Sequence, residues 1–302
     1  MTRKIVFLHP GVSYCPELTA YREFFEGQGH SVGVVTSSGA REVTSADLIW
    51  CLMGFYPRLP DRPIVHEFAS LSTAPFAEAK DFLKRILLPI PCYRVFLNEF
   101  VHAQLRFGCD VPFVYRDMGV SDLFFSRQSR RGMGHFDYDF VYFGSVTRIR
   151  RIDVLLRLFV GSGKTLLLIG EPDASIVAEF SSQKNIIFAG RLTNSQIPEV
   201  AERCRFAVNF MPDCYPFNEQ TSTKLIEYCA LGMPIVSSDY RWARAFAAKR
   251  NAKIFFLKSG LARLPLVEIE RFSFETPDVS DLRWNEVIKR SGIGKILNDL
   301  NI

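Results

Sequence analysis

The sequence predicts an α/β protein built from two doubly wound, Rossmann-like parallel sheets, and three observations predict it. Short apolar runs alternate with amphipathic stretches along most of the chain, the pattern of strands joined by helical crossovers. The alternation breaks in "SDLFFSRQSRRGMGHFD" (121–137), which is polar, basic and glycine-bearing. The chain has 302 residues, long for one core when domains typically hold about 100–150 residues. We therefore expect an N-terminal domain over 1–120, a linker over 121–137, a C-terminal domain over 138–275, and a helical tail over 276–302 free to pack back on the N-terminal domain.

In the first half, "KIVFLHP" (4–10) reads as a buried strand and "PELTAYREFFEGQGH" (16–30) as a helix stopped by glycines. "SVGVVTS" (31–37), "DLIWCLMG" (47–54) and "RPIVHEFAS" (62–70) are further strands, followed by a helix from about Phe76 to Leu88. "RVFLNEF" (94–100) and "VPFVYRDMGV" (111–120) complete the set. After the linker come strands "YDFVYFGS" (138–145), "TLLLIGE" (165–171), "NIIFAGR" (185–191), "RFAVNFMP" (205–212) and "MPIVSSD" (233–239). Helices are expected over 151–159, near 195–203 and near 221–231. Two such domains facing each other leave a cleft, and ligands of open α/β sheets bind at the carboxyl ends of the strands.

"GSGKT" (161–165) looks like part of a phosphate-binding P-loop, but Leu158 stands where the first glycine of that motif belongs. The order is also reversed: a P-loop leaves a strand and opens a helix, whereas here a helical run precedes and an apolar strand follows. The segment is expected to be a helix stop. Nucleotide phosphates, if bound, are held elsewhere.

Composition narrows the function classes. Hydrophobic residues make up 48% and charged residues 23%, ordinary for a globular protein. The apolar run before His9 is too short for a signal-peptide core or a membrane span, so a cytoplasmic protein is expected. Seven scattered cysteines without a C-x-x-C pair fit neither a disulfide framework nor a zinc site. A net charge of +5 permits anionic substrates or an acidic membrane face, and no basic, aromatic-interleaved motif suggests nucleic acid as a partner.

The segment "YPFNEQTSTKLIEYCALGMPIVSSDY" (215–240) carries the chemistry. Glu219 lies in a loop and Glu227 eight residues on, in the helix that Thr221, Ser222 and Thr223 begin. Helix-terminal amides favour a diphosphate, and two carboxylates accept hydrogen bonds from sugar hydroxyls. A nucleotide sugar has both parts.

The Glu-x7-Glu spacing followed by "YCALGMPIVSSD" resembles the signature of the retaining glycosyltransferases of family 4 and their relatives, which have the GT-B fold. The resemblance implies that Glu219 contacts the donor sugar and Glu227 the ribose. "FVYFGSVTRIRRIDVLLRLF" (140–159) is similar to the family's strand, glycine, basic loop and helix, with Gly144 as the glycine and Arg150 at the diphosphate-binding lysine position. The family's arginine after that glycine is Ser145 here, leaving Arg148 or Arg151 to supply the lost charge or to face solvent. "QTS" (220–222) replaces the usual Gly-Phe-Gly. "NIIFAGRLTNSQIPEVAERCRFAVNFMP" resembles the nucleotide-side wall, with Arg191 and Leu192 near the base, and "MGVSDLFF" (118–125) resembles the turn ending the first domain.

On the N-terminal side, Gly11 in "HPGVSYC" (9–15) offers either flexible backbone near phosphates or a tight turn. His66 is either a sugar-contacting histidine, as the resemblance implies, or a structural one. "DYD" (137–139) imitates a metal-binding Asp-x-Asp but sits beside the linker, and the fold does not generally use one. "KRILLPIPCYRVF" (84–96), basic and aromatic, offers peripheral contact with the inner face of a membrane or with a lipid-linked acceptor, or belongs to the core.

The resemblance implies a hexosyltransferase of polysaccharide biosynthesis, moving a sugar from a nucleotide-diphosphate donor to a hydroxyl of a glycan or glycolipid, with no cofactor and no metal. Arg150, with amides near Ser222 and Thr223, would stabilise the leaving diphosphate and Glu219 would orient the sugar; Lys224 would assist or face solvent. A GT-B sugar-nucleotide epimerase and a non-catalytic sugar-nucleotide-binding module are the alternatives.

Overall fold

A computed structural model describes residues 2–11, 15–52, 54–73, 75–108, 110–130 and 135–300. The chain forms two compact units, residues 1–121 with 282–302, and residues 122–281. It crosses between them at Ser121–Asp122 and again at Asp281–Leu282. Of the segment read as a linker, residues 131–134 lie outside the described residues, and Asp122 onward belongs to the second unit. Residues 276–281 of the expected tail stay with the second unit as well.

The first unit runs β1 (Lys4–Leu8), α1 (Glu17–Glu26), β2 (Ser31–Val35), α2 (Arg41–Thr44), β3 (Leu48–Leu52), β4 (Ile64–Phe68), α3 (Ala77–Leu87), β5 (Tyr93–Phe96), α4 (Glu99–Leu105) and β6 (Phe113–Tyr115). Its sheet has the order β2-β1-β3-β4-β5-β6 with every pairing parallel. Strands β3, β4 and β5 are buried along their full length. Continuous apolar runs replace alternation because both faces of a parallel sheet are covered.

The strands are shorter than the apolar runs that predict them, most clearly in two places. "RVFLNEF" stops being a strand at Phe96, because Asn98 turns extended and its Oδ1 accepts the Val101 amide at 3.0 Å, capping α4. An Asn there ends a strand and starts a helix at once. "VPFVYRDMGV" joins the sheet only over Phe113–Tyr115, at its edge, and Val120 instead bridges Arg283 at the start of the tail.

The second unit runs α5 (Asp122–Phe125), β7 (Tyr138–Phe143), α6 (Ile152–Phe159), β8 (Leu166–Ile169), α7 (Ala174–Phe180), β9 (Ile186–Gly190), α8 (Gln196–Ala201), β10 (Cys204–Asn209), α9 (Thr223–Ala230), β11 (Ile235–Ser238), α10 (Arg241–Lys249), β12 (Phe255–Leu257) and α11 (Leu266–Arg271). Its sheet order is β12-β11-β10-β7-β8-β9, again parallel throughout. One core joins Phe140, Tyr142, Leu155, Phe159, Leu168, Phe206 and Val236. "GSGKT" lies between α6 and β8, with Gly161 and Gly163 at positive φ. Lys164 pairs with Asp139 at 3.3 Å and Glu270 at 3.2 Å, so the segment is a helix-to-strand turn.

The tail forms α12 (Trp284–Ser291) and α13 (Ile296–Asp299) in the first unit. Trp284, Val287, Ile288, Ile296 and Leu297 join the core of Ile5, Phe7, Tyr21 and Trp50. Gly119 makes room for Trp284: a Cβ there would sit 2.5 Å from the indole. Beneath the tail, Glu67 accepts from Trp50 Nε1 at 2.7 Å and Tyr21 Oη at 3.0 Å, and pairs with Arg116, both ions buried. Charges at that depth are tolerated because they are paired and hydrogen-bonded.

Candidate functional site

Strand β7 ends at Phe143, and Gly144 follows at φ +135°, a conformation L side chains rarely adopt. Gly170, after β8, has φ +148°, and a Cβ on it would lie 1.9 Å from the Gly144 carbonyl oxygen. The two glycines let the strand ends close together. A Cβ on Gly144 would in turn sit 1.9 Å from Lys224 Cε, so the lysine stem fills the space a side chain would take. Lys224 belongs to the first turn of α9, whose cap Ser222 accepts the Leu225 amide at 3.3 Å.

Ser222 is itself held in place. Its hydroxyl donates to Asn209 Oδ1 at 2.9 Å at the end of β10, and Asn209 Nδ2 donates to Ser237 Oγ at 2.9 Å and Tyr240 Oη at 3.0 Å. All of these hydrogen-bonding groups are buried, which fixes the entry of α9. The amides of Thr223 and Lys224 open the helix at its positive end.

Lys224 lies beside Glu227 and Arg150. Burial, then the Arg150 charge, push its ammonium down to about 8, against the pull of Glu227. Burial pushes the Glu227 carboxyl up to about 8, opposed by Lys224. Burial also lowers Arg150, partly offset by Tyr142 and Cys214. The Arg150 guanidinium rests 4.0 Å above the Phe217 ring and donates to Met211 Sδ at 3.2 Å. Among the described residues neither Arg150 nor Lys224 makes an ion pair. Two half-buried cations outside any ion pair, at a helix N-terminus and beside a glycine, are an arrangement that can hold a polyanion.

The structure thus brings Gly144, Arg150, Ser222, Thr223, Lys224 and Glu227 together. Glu219 ends the short turn that carries Phe217, and its carboxylate accepts from Arg241 Nη1 at 3.0 Å. Arg148 is directed to α7: it pairs with Glu179 at 2.6 Å and Asp153 at 3.6 Å and donates to Ser175 Oγ at 3.0 Å. Arg151 begins α6 with φ 53°. The cation against Gly144 is therefore Lys224, eighty residues on. Sequence spacing alone left that lysine facing solvent by default. Arg191 is exposed just after β9, beyond Gly190 at φ 70°.

Two expected site residues lie in the first unit. Gly11, at φ 74°, is exposed and donates its amide to His9 Nδ1 at 3.1 Å; residues 12–14 of the same stretch lie outside the described residues. His66 lies within β4 and is buried, with its ring edge-on to Phe68. Burial and the nearby Arg94 push its imidazole down to about 4, and Nε2 meets no hydrogen-bond partner among the described residues.

The "DYD" carboxylates are engaged otherwise. Asp139 accepts from the Thr165 amide at 2.9 Å, and Asp137 pairs with Arg203. Both lie at the start of β7, away from the carboxyl ends of the strands. No group of three or more His, Cys, Asp or Glu that could hold a metal occurs among the described residues. The six described cysteines are free thiols.

The family model described as "Glycosyl transferases group 1" matches residues 137–270. No curated protein matches the chain by sequence. Among solved structures, the chain is similar to sucrose-phosphate synthase from Thermosynechococcus elongatus, with a TM-score of 0.63 and 13% identity over 98% of this chain and 94% of that one. It is similar to Anabaena Alr3699/HepE, solved in complex with UDP and glucose, with a TM-score of 0.60 and 12% identity over 99% and 98%. It is also similar to a UDP-GlcNAc 2-epimerase from Methanocaldococcus jannaschii, with a TM-score of 0.52 and 10% identity over 98% and 99%. Likeness at such identities is likeness of fold. With two parallel six-stranded sheets on one side and the likeness to solved structures on the other, the chain has the GT-B fold, and its residues 137–270, which carry the whole cationic cluster, match the model of the group 1 glycosyl transferases.

Proposed function

We propose that the protein transfers a sugar, with retention, from a nucleotide-diphosphate sugar to a hydroxyl of a glycan or glycolipid, without a metal. The observation that carries this is the desolvated, unpaired pair Arg150 and Lys224 at the N-terminus of α9. In the transfer, the bond between the anomeric carbon and the diphosphate oxygen breaks as the acceptor oxygen bonds to that carbon. The acceptor proton passes to the leaving phosphate, so no enzyme nucleophile is required. Charge grows on the diphosphate as that bond breaks. Arg150, Lys224 and the Thr223 amide are positioned to hold that charge more strongly in the transition state than in the ground state.

Glu227 is assigned to the ribose. Burial raises its carboxyl; in the protonated form it donates to one hydroxyl and accepts from another, and in the ionised form it accepts from both. Glu219 is assigned to the transferred sugar and exchanges Arg241 for sugar hydroxyls when the donor binds. UDP-glucose is the first donor to try, since UDP and glucose occupy the solved Anabaena relative.

Calorimetry with UDP and kinetics with the donor separate the two carboxylates. Glu227→Ala should weaken UDP itself by roughly 5- to 150-fold, the cost of about 1–3 kcal/mol for a lost buried hydrogen bond. Glu219→Ala should leave UDP affinity nearly unchanged and lower kcat. Turnover should persist in EDTA. Identical behaviour of the two variants, or complete magnesium-reversible loss in EDTA, would overturn these assignments. The likeness to an epimerase gives a second outcome to look for: an isomerised nucleotide sugar formed without any acceptor would move the protein to that class.

A further inference from the structure

Helix α3 is folded with its apolar side outward. None of its eleven residues is buried. Its charged side faces the protein: Lys84 pairs with Asp81 at 3.0 Å and donates to Ser72 Oγ at 2.8 Å, and Asp81 accepts the Ser72 amide at 3.3 Å. On the opposite side Phe82 is 52% exposed, Leu83 43%, Ile86 58% and Leu87 48%, a spacing that aligns them along one helical face. Phe76, 79% exposed, and Ile90, 74% exposed, extend this stripe at both ends. A contiguous apolar patch of this kind marks an interaction surface.

The charges at the rim identify the partner. Lys80 and Arg85 are exposed beside the stripe, against the single exposed carboxylate of Glu78, and the Arg85 guanidinium lies 5.3 Å over the Phe82 ring. Long cationic side chains flanking an apolar helical face suit a lipid interface, where the stems lie along acyl chains and the heads reach phosphates. A second copy of the chain fits less well. A stable protein interface buries about 800 Å² per partner, more than one three-turn helix presents, and a two-fold mate would bring the same cationic rim.

We propose that α3 docks the protein peripherally on an anionic lipid surface, with the stripe from Phe76 to Ile90 in the acyl boundary and Lys80 and Arg85 at the headgroup phosphates. This inference is independent of the transfer chemistry. It is tested by flotation of the full chain with vesicles of phosphatidylcholine alone and of phosphatidylcholine with phosphatidylglycerol. The protein should float with the anionic vesicles and stay below with the neutral ones.

The double variant Phe82→Glu, Ile86→Glu should lose about 10-fold or more of the anionic binding, since it places charge in the acyl boundary. Its melting temperature should not change, because neither side chain is buried. Lys80→Gln with Arg85→Gln should weaken binding by roughly 5-fold per charge and flatten its salt dependence. Three results would overturn the proposal: no flotation of the wild type with either vesicle, unchanged flotation of the Glu variant, or light scattering that shows a dimer which the Glu variant dissociates.

Discussion

Lys224 shows how much a single side chain depends on its surroundings. An exposed lysine stays charged to about pH 10, whereas this one, pressed against Gly144 and facing Arg150, titrates at about 8. Its folded value lies below its ordinary one, so the ammonium is present below about pH 8 and lost above. A diphosphate binding beside it raises that value again and takes up a proton. UDP affinity should therefore be flat below pH 7 and fall by up to about 10-fold per unit above 8, the limit for one linked proton. Calorimetry from pH 6.5 to 9.5 measures it. Glu227, also raised to about 8, ionises over the same range, so Lys224→Arg, which cannot deprotonate there, should reduce the fall and Lys224→Arg with Glu227→Gln should remove it; a fall that persists in the double variant would assign the proton to another group. Sequence reading named Lys224, Arg150 and Glu227, but it could not choose between Arg148 and Arg151 to replace the basic residue missing at Ser145, and it did not consider Lys224 for the place beside Gly144. That choice depends on Glu179, which claims Arg148 from a different helix.

At the level of elements, the apolar runs and the residues flanking them were enough to locate most strands. Helices α7 and α10 and strand β12 were not anticipated, because α7 and β12 are short and α10, rich in alanine and interrupted by Arg241 and Arg244, buries only Ala243, Phe246 and Ala247. The turn after β7 is where local conformation and function meet. Gly144→Ala should impose about 1–3 kcal/mol of backbone strain and displace the Lys224 stem. UDP affinity should then drop roughly 10-fold, as for loss of a charge-assisted contact. Gly161→Ala is the matched control, with φ 68° and open space around the added methyl. It should cost stability and leave UDP affinity unchanged. Equal affinity losses in both variants would show that strain, and not Lys224, is responsible.

At the level of the whole molecule, the last twenty-one residues belong to the first unit. Trp284 packs on Gly119 and lies 5.3 Å from the Arg116 guanidinium, which the buried Glu67 holds. Trp284→Ala should destabilise the protein by about 3–5 kcal/mol, the usual cost of emptying a buried aromatic site, read as a lower urea midpoint. Nucleotide affinity of the folded fraction should stay unchanged, because Arg150, Thr223, Lys224 and Glu227, to which nucleotide binding is assigned under the proposed function, all lie within residues 122–281. A loss of stability under about 1 kcal/mol would mean the tail is only loosely docked.

The sequence by itself determined the α/β class, the two sheets and the segment to which donor binding is assigned. Apolar periodicity, glycine placement and the Glu-x7-Glu run are local properties, readable within a few residues of one another. The tertiary structure decided which cations stay unpaired, that His66 is buried within its strand, and that α3 turns its apolar side outward. Each of those depends on partners dozens of residues away, since burial and ion pairing are set by what the fold places nearby rather than by the neighbours along the chain.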